Sequence, residues 1–437
     1  MTDLLDRIRS ANTVVRSGRV RRILPTYIEA DGPAVPLGTL CDIERRQDMA
    51  NASRTATAKV VGVHADSIIL APFEDASAVF AGAKVEASMR MDAAPVGDVL
   101  SGRAVDALGD PIDALGPLKG ARYAALEGPL PSPLARMSPQ IPLRTGIRTI
   151  DGLLTLGMGQ RIGIFAAAGV GKTTLMTQLA NQVEADRCVV CLVGERGREV
   201  QALWEGGIAP AVRARTTLIA ATSDHTAAVR VRAGEYALAV AEHWRERGEH
   251  VLLLVDSVTR LAMALREIGL AAGEPPTVRA YTPSVFGALP RFVERCGALR
   301  SGGAITAIMT ILSETDDVDD PISEMMKSLL DGHLILSRTL AEQGHYPAID
   351  VPRSVSRLAR NLMAPKHRED AAAAAELLSI YETSKTLVEA GVYVRGANPD
   401  IDRALNARPR LLQFLKQGSD ASVPLDACVS QLAETVR

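Results

Sequence analysis

The sequence predicts an α/β core built on a parallel sheet, preceded by a small β-barrel and followed by a helical domain. Three observations predict it. From Gly152 to about Tyr346, short apolar runs alternate with helical stretches. The runs are continuously apolar, as strands covered on both faces must be. Before residue 92, short β-rich runs alternate with Gly, Pro and Asp turns. After Pro365 the pattern turns helical, starting from the Ala-rich stretch 371–375. The boundaries fall at 1–92, 93–364 and 365–437.

In chain order, residues 1–15 form a short helical lead. The barrel strands are Val20–Leu24, Thr26–Ala30, Lys59–Val63 and Ser67–Ala71. Residues 93–149, rich in Pro and Gly, form an extended connection and a sheet edge. The core strands are Arg161–Phe165, Cys188–Val193, Leu218–Thr222, Val251–Val255, Ala304–Leu312 and Leu334–Leu336. Helices intervene, such as 224–247, which Gly248 stops. A long helix, 368–389, opens the C-terminal domain.

Composition narrows the function. With 437 residues, 47% of them hydrophobic and 23% charged, the chain can bury a large core. A net charge of −2 and 3% aromatic residues offer neither a basic field nor stacking platforms, so no nucleic-acid partner is expected. The N-terminus is charged where a signal peptide needs an apolar stretch, and no run is long enough to span a membrane. A cytoplasmic protein is expected. The five cysteines are odd in number and scattered, which fits a reducing compartment. Cys188 and Cys191 lie three apart in a strand, on opposite faces, and cannot grip one metal.

The chemistry centres on Ala166-Ala-Ala-Gly-Val-Gly-Lys-Thr173, between a strand and a helix. Gly169 and Gly171 let the backbone N–H groups converge on an anion, and the helix adds its positive end. Lys172 reaches the β- and γ-phosphates and Thr173 offers a hydroxyl to Mg²⁺. Ala166 stands where the full pattern has Gly, which is tolerable if its φ stays negative. Asp256 ends an apolar strand, where a carboxylate meets the metal; the alternative is a cap for the following helix. Glu195, in Gly194-Glu-Arg-Gly-Arg-Glu199, leaves the same sheet edge and is suited to activating water, with Glu199 second. A solvated charge cluster is the competing reading.

Gly194–Val200, Val255-Asp-Ser-Val-Thr-Arg260 and Ser354-Val-Ser-Arg-Leu358 resemble the catalytic segments of the rotary ATP synthase family. Four segments resemble more closely the ATPases of bacterial type III secretion and flagellar export. They are Leu143–Gly152, Tyr281–Phe286, Asp331–Arg338 and Gly344–Asp350. The resemblance runs from about Gly18 to Leu415. It implies a RecA-like P-loop ATPase core that uses ATP/ADP and Mg²⁺. The implied nucleotide contacts are Ala168, Gly169, Val170, Gly171, Lys172, Thr173 and Thr174, with Tyr346 stacked on adenine. Thr173 and Asp256 are the implied metal contacts. Lys172, Glu195, Arg196 and Arg357 are implied to be catalytic, Arg357 as a finger reaching into a neighbouring subunit, with Arg260 in support. Val351-Pro352-Arg353 departs from the acidic or small pair more usual before the finger.

The same resemblance implies a homohexamer that works with a central stalk protein, a stator or regulator protein and chaperone–substrate complexes. It implies association with the export gate at the cytoplasmic face of the inner membrane. The competing functions are a rotary ATP synthase subunit and a hexameric nucleic-acid translocase. Glu195 and Arg357 in one chain favour a homo-oligomer. Glu267–Tyr281, irregular and nearly charge-balanced, is expected to face a protein in the ring's pore. Residues 316–320 form an acidic run, either a mobile loop near the site or a solvated one.

Overall fold

A computed structural model describes residues 15–46, 55–88, 90–313 and 320–437. The lead at 1–14 and most of the acidic run at 316–320 lie outside them. Six strands close the N-terminal barrel. Around it run Ser17–Ile23, Ile28–Ala30, Ile68–Pro72, Thr55–Val63, Leu40–Glu44 and Lys84–Ala87, and the last pairs with the first. Alternation in Thr55–Val63 shows why: Ala56, Ala58 and Val60 are buried inside while their neighbours are not. Leu40–Glu44 and Lys84–Ala87 are strands that the sequence reading missed. They are short and carry charges, so their apolar signal is weak.

The central sheet starts at one edge with Val355–Ser356. It continues through Gly332–Ile335, Arg161–Ala166, Ala304–Leu312, His250–Asp256, Arg187–Glu195 and Thr216–Thr222 to Arg103–Asp106. All are parallel except Val355–Ser356. Both faces are covered. Val189, Cys191 and Val193 pack with Tyr236 and Trp244 of the helix Ala227–Glu246. Cys188, Val190 and Leu192 pack on the other face with Leu175 and Leu179. The two cysteines thus face opposite layers, and burial pushes both thiols up to about 12. The second layer continues into the C-terminal helices Pro365–Glu389, Pro399–Leu415 and Leu425–Val436.

One expected irregular stretch is partly regular. The helix Val258–Ala271 runs through the first third of Glu267–Tyr281, because Leu261, Ala262 and Ala264 bury its face. The rest, 272–281, is loop apart from the 3-10 turn Val278–Ala280, and Tyr281 is buried in the core. Its charges are engaged within the chain: Glu267 with Arg230 at 2.7 Å, Glu274 with Ser284 N–H at 2.9 Å, and Arg279 with Asp320 at 3.5 Å.

Candidate active site

Parallel pairing places three strand ends at one edge. Val255 pairs with Met309, Thr310 with Ile164, and Leu192 with Asp256. The phosphate loop, Asp256 and Glu195 therefore leave the sheet side by side. Ala166 ends its strand without a positive φ, as the loop requires, whereas Gly169 and Gly171 take φ of +81° and +97°. Only glycine adopts such angles at no steric cost. Gly171 then starts the helix Lys172–Gln182. Ala168, Gly169, Thr173 and Thr174 are exposed, while Val170 is buried and anchors the loop.

Lys172 Nζ lies 2.5 Å from Asp256 Oδ1, which also accepts a hydrogen bond from Thr310 at 2.7 Å. The helix after Asp256 is capped by Ser257, whose hydroxyl accepts from Arg260 N–H at 3.3 Å. The capping alternative for Asp256 is thereby removed, and its carboxylate faces the loop. Thr310 had no signal in the sequence, because it sits inside an apolar strand.

Glu195 is buried, whereas Arg196 and Arg198 beside it are exposed. The solvated-cluster reading holds for the arginines and fails for the glutamate. Glu195 Oε1 is 3.2 Å from Arg260 Nε and 3.7 Å from Lys172 Nζ, yet this one oxygen has no aligned hydrogen bond. It lines a cavity of about 30 Å³ together with the apolar Met176, Ala180, Val190, Leu192, Leu203 and Leu254 and the polar Thr173, Glu199 and Asp256. Burial against these apolar walls pushes Glu195 up to about 7. A hydrogen bond to Glu199 and the Asp256 charge add to the rise, while Lys172 and Arg260 oppose it. Glu199 is held low by that hydrogen bond.

Tyr346 is 45% exposed and leans on the loop: a methyl group built on Gly171 would meet its Cε1 at 3.3 Å. Lys172, Thr173, Glu195, Asp256 and Tyr346 therefore converge. Arg357 does not join them. Its N–H donates to Asp331 O at 3.0 Å and its guanidinium to Lys327 O at 3.0 Å. Ser356 pairs with Gly332, and Gly332 with Ile162, so Arg357 is exposed at the opposite edge of the sheet. The strand Arg161–Ala166 separates it from its own loop by roughly 15–20 Å.

A lysine on a glycine turn that faces two strand-end carboxylates defines a P-loop nucleoside triphosphatase. Comparisons narrow the class. The ATP synthase alpha/beta family nucleotide-binding domain matches residues 146–356, and the T3SS EscN ATPase C-terminal domain matches 363–434. A flagellum-specific ATP synthase of Bacillus subtilis is 43% identical, covering 98% of this chain and 97% of its own. A type 3 secretion system ATPase of Xanthomonas euvesicatoria is 42% identical, with 93% and 90% covered. Among solved structures, the assembled ATPase EscN of enteropathogenic E. coli matches with a TM-score of 0.90 and 36% identity, covering 96% of this chain and 100% of that one. EscN in complex with its central stalk EscO matches at 0.86 and 35%, with the same coverage. The chain belongs to the family of flagellar and type III secretion ATPases, and it is an ATPase. The rotary-synthase and nucleic-acid readings are not favoured. Among the described residues no helix is long and apolar enough to cross a membrane.

Proposed function

We propose that this chain hydrolyses ATP to energise protein export, releasing substrates from chaperones and promoting their unfolding. One observation carries the chemistry: Lys172, Asp256 and buried Glu195 converge at the edge where the phosphate loop lies. Lys172 holds the phosphate charge. Ionised Glu195 accepts a proton from the attacking water and orients it, which is most of what transfer to water requires. The Thr173 hydroxyl and the Asp256 carboxylate are hard oxygen donors that suit Mg²⁺, which takes one or two protein ligands besides phosphates and water. Bound there, the ion would neutralise charge on the phosphates. Arg196, at the mouth, adds positive charge beside Glu199. Tyr346 stacks on the adenine.

Arg357 cannot serve its own site across the sheet, so its use as a finger requires a neighbour. That supports a homohexameric ring with sites at the interfaces. EscN is known in an assembled form and with its central stalk; we infer a stalk partner here too, together with a regulator and chaperone–substrate complexes received by the helical domain. The ring would sit at the cytoplasmic face of the inner membrane, at the export gate. The test is ATPase rate with added stalk protein or chaperone–substrate complex, beside single-stranded RNA or DNA. Stimulation by the proteins is expected. Strong, salt-sensitive stimulation by nucleic acid alone would overturn the reading.

A further inference from the structure

The loop 416–424 joins the last two helices and touches Tyr346 on one side and the far end of the phosphate-loop helix on the other. On one side, Gln417 N–H donates to Tyr346 O at 2.8 Å. On the other, Gln182 Nε2 donates to Ala421 O at 2.9 Å and Ser419 O at 3.2 Å. Gln182 closes the helix whose first residue is Lys172. The contacts make a circuit: phosphate loop, its helix, the 416–424 loop, Tyr346, and back to Gly171 under the Tyr346 ring.

Gln417 is the buried knot of that circuit, only 8% exposed. Its Nε2 donates to Gly146 O at 2.7 Å and Ala421 O at 2.7 Å, and its Oε1 accepts from Arg148 N–H at 2.9 Å. These three bonds fix the backbone whose N–H meets Tyr346. A buried amide must be satisfied in any case; what these partners show is that Gln417 ties the 416–424 loop to the backbone at 146–148.

We propose that Gln417 is a positioning residue for the nucleotide base: it holds Tyr346 over the phosphate loop and thereby lets the helical domain set nucleotide affinity. This rests on Tyr346 as the base-stacking residue. Gln417→Ala keeps the N–H but frees its backbone, so Tyr346 loses its fixed distance from Gly171. Contacts to the phosphates, made by the loop itself, are untouched.

The test measures binding of fluorescent ADP to the full chain, and of tripolyphosphate, which lacks a base, by competition. Gln417→Ala should weaken ADP about tenfold, the scale of one base–aromatic contact, and tripolyphosphate by no more than about twofold. Tyr346→Ala should show the same split. The double variant should be no weaker than Tyr346→Ala alone, because both changes remove one interaction. Equal losses for ADP and tripolyphosphate, or multiplicative losses in the double variant, would overturn the proposal. If Gln417→Ala does not fold, Gln182→Ala loosens the same loop from the helix end; it should weaken ADP alone, and a matching loss for tripolyphosphate counts against us. Tyr346→Ala with unchanged ADP affinity would instead sink the stacking role. A clear Tyr346→Ala effect beside an inert Gln417→Ala would sink only the positioning role.

Discussion

Among single residues, the proposed mechanism divides the work between Lys172 and Glu195. Lys172→Ala removes a phosphate contact, so nucleotide affinity and turnover should both fall. Glu195→Gln keeps the size and loses the base, so ATP should bind while kcat drops about 10²–10⁴-fold. Equilibrium binding beside steady-state kinetics separates the two outcomes. The environment of Glu195 also sets a pH dependence. Its folded-state value is raised from 4.5 to about 7, so the protonated form is favoured by folding. That contribution to stability is complete below 4.5 and is lost as pH rises through about 7. Catalysis needs the opposite form, so kcat/KM, which reports the free enzyme, should fall on acidification below about 7. Glu195→Gln should lose this acid limb; an unchanged limb would assign it to another group. Glu195 was legible as a candidate because it ends a strand beside a Gly. Its burial was not, since the neighbouring Arg196 and Arg198 are exposed and most of the walls come from three other elements.

The phosphate loop as an element depends on Gly171, whose φ of +97° strains any side chain and where a methyl would press on Tyr346 Cε1 at 3.3 Å. Gly171→Ala costs about 1–2 kcal/mol in the left-handed region and pushes the Tyr346 ring away. Affinity for tripolyphosphate and for ADP should both fall at least about tenfold; intact tripolyphosphate binding would show that the loop does not need this turn. Such local features were readable: glycines flanked by an apolar strand and a helix name the loop without help from the rest of the chain. The core strands were readable too, because burial on both faces leaves an uninterrupted apolar run. Other elements depend on distant partners. The helix through Ala271 reads as irregular beside Gly269 and Gly273, yet its packed face carries it on. The barrel strands Leu40–Glu44 and Lys84–Ala87 form because they pair with each other and with strands on either side. Gln417 meets Gly146 from 271 positions away, and no spacing rule reaches that far.

For the whole molecule, the sheet puts the proposed base, Glu195, and the proposed finger, Arg357, on opposite edges. Glu195 ends one strand at the phosphate edge, and Arg357 lies beside the start of another. The sequence alone reads Arg357 as a surface arginine; only the family resemblance suggested a role, and only the strand order puts it out of reach of its own phosphate loop. Specific activity should therefore rise with protein concentration until rings form. The most direct measurement mixes two inactive variants. Arg357→Ala keeps the loop and loses the finger; Lys172→Ala keeps the finger and loses the phosphate contact. Each alone should be inactive, and Arg357→Ala should still bind ATP. Mixed and allowed to exchange subunits, they should regain ATPase activity, because some interfaces then pair an intact loop with an intact finger. No recovery in rings shown to contain both variants, or full activity of wild-type protein held as a monomer, would contradict a site shared between subunits.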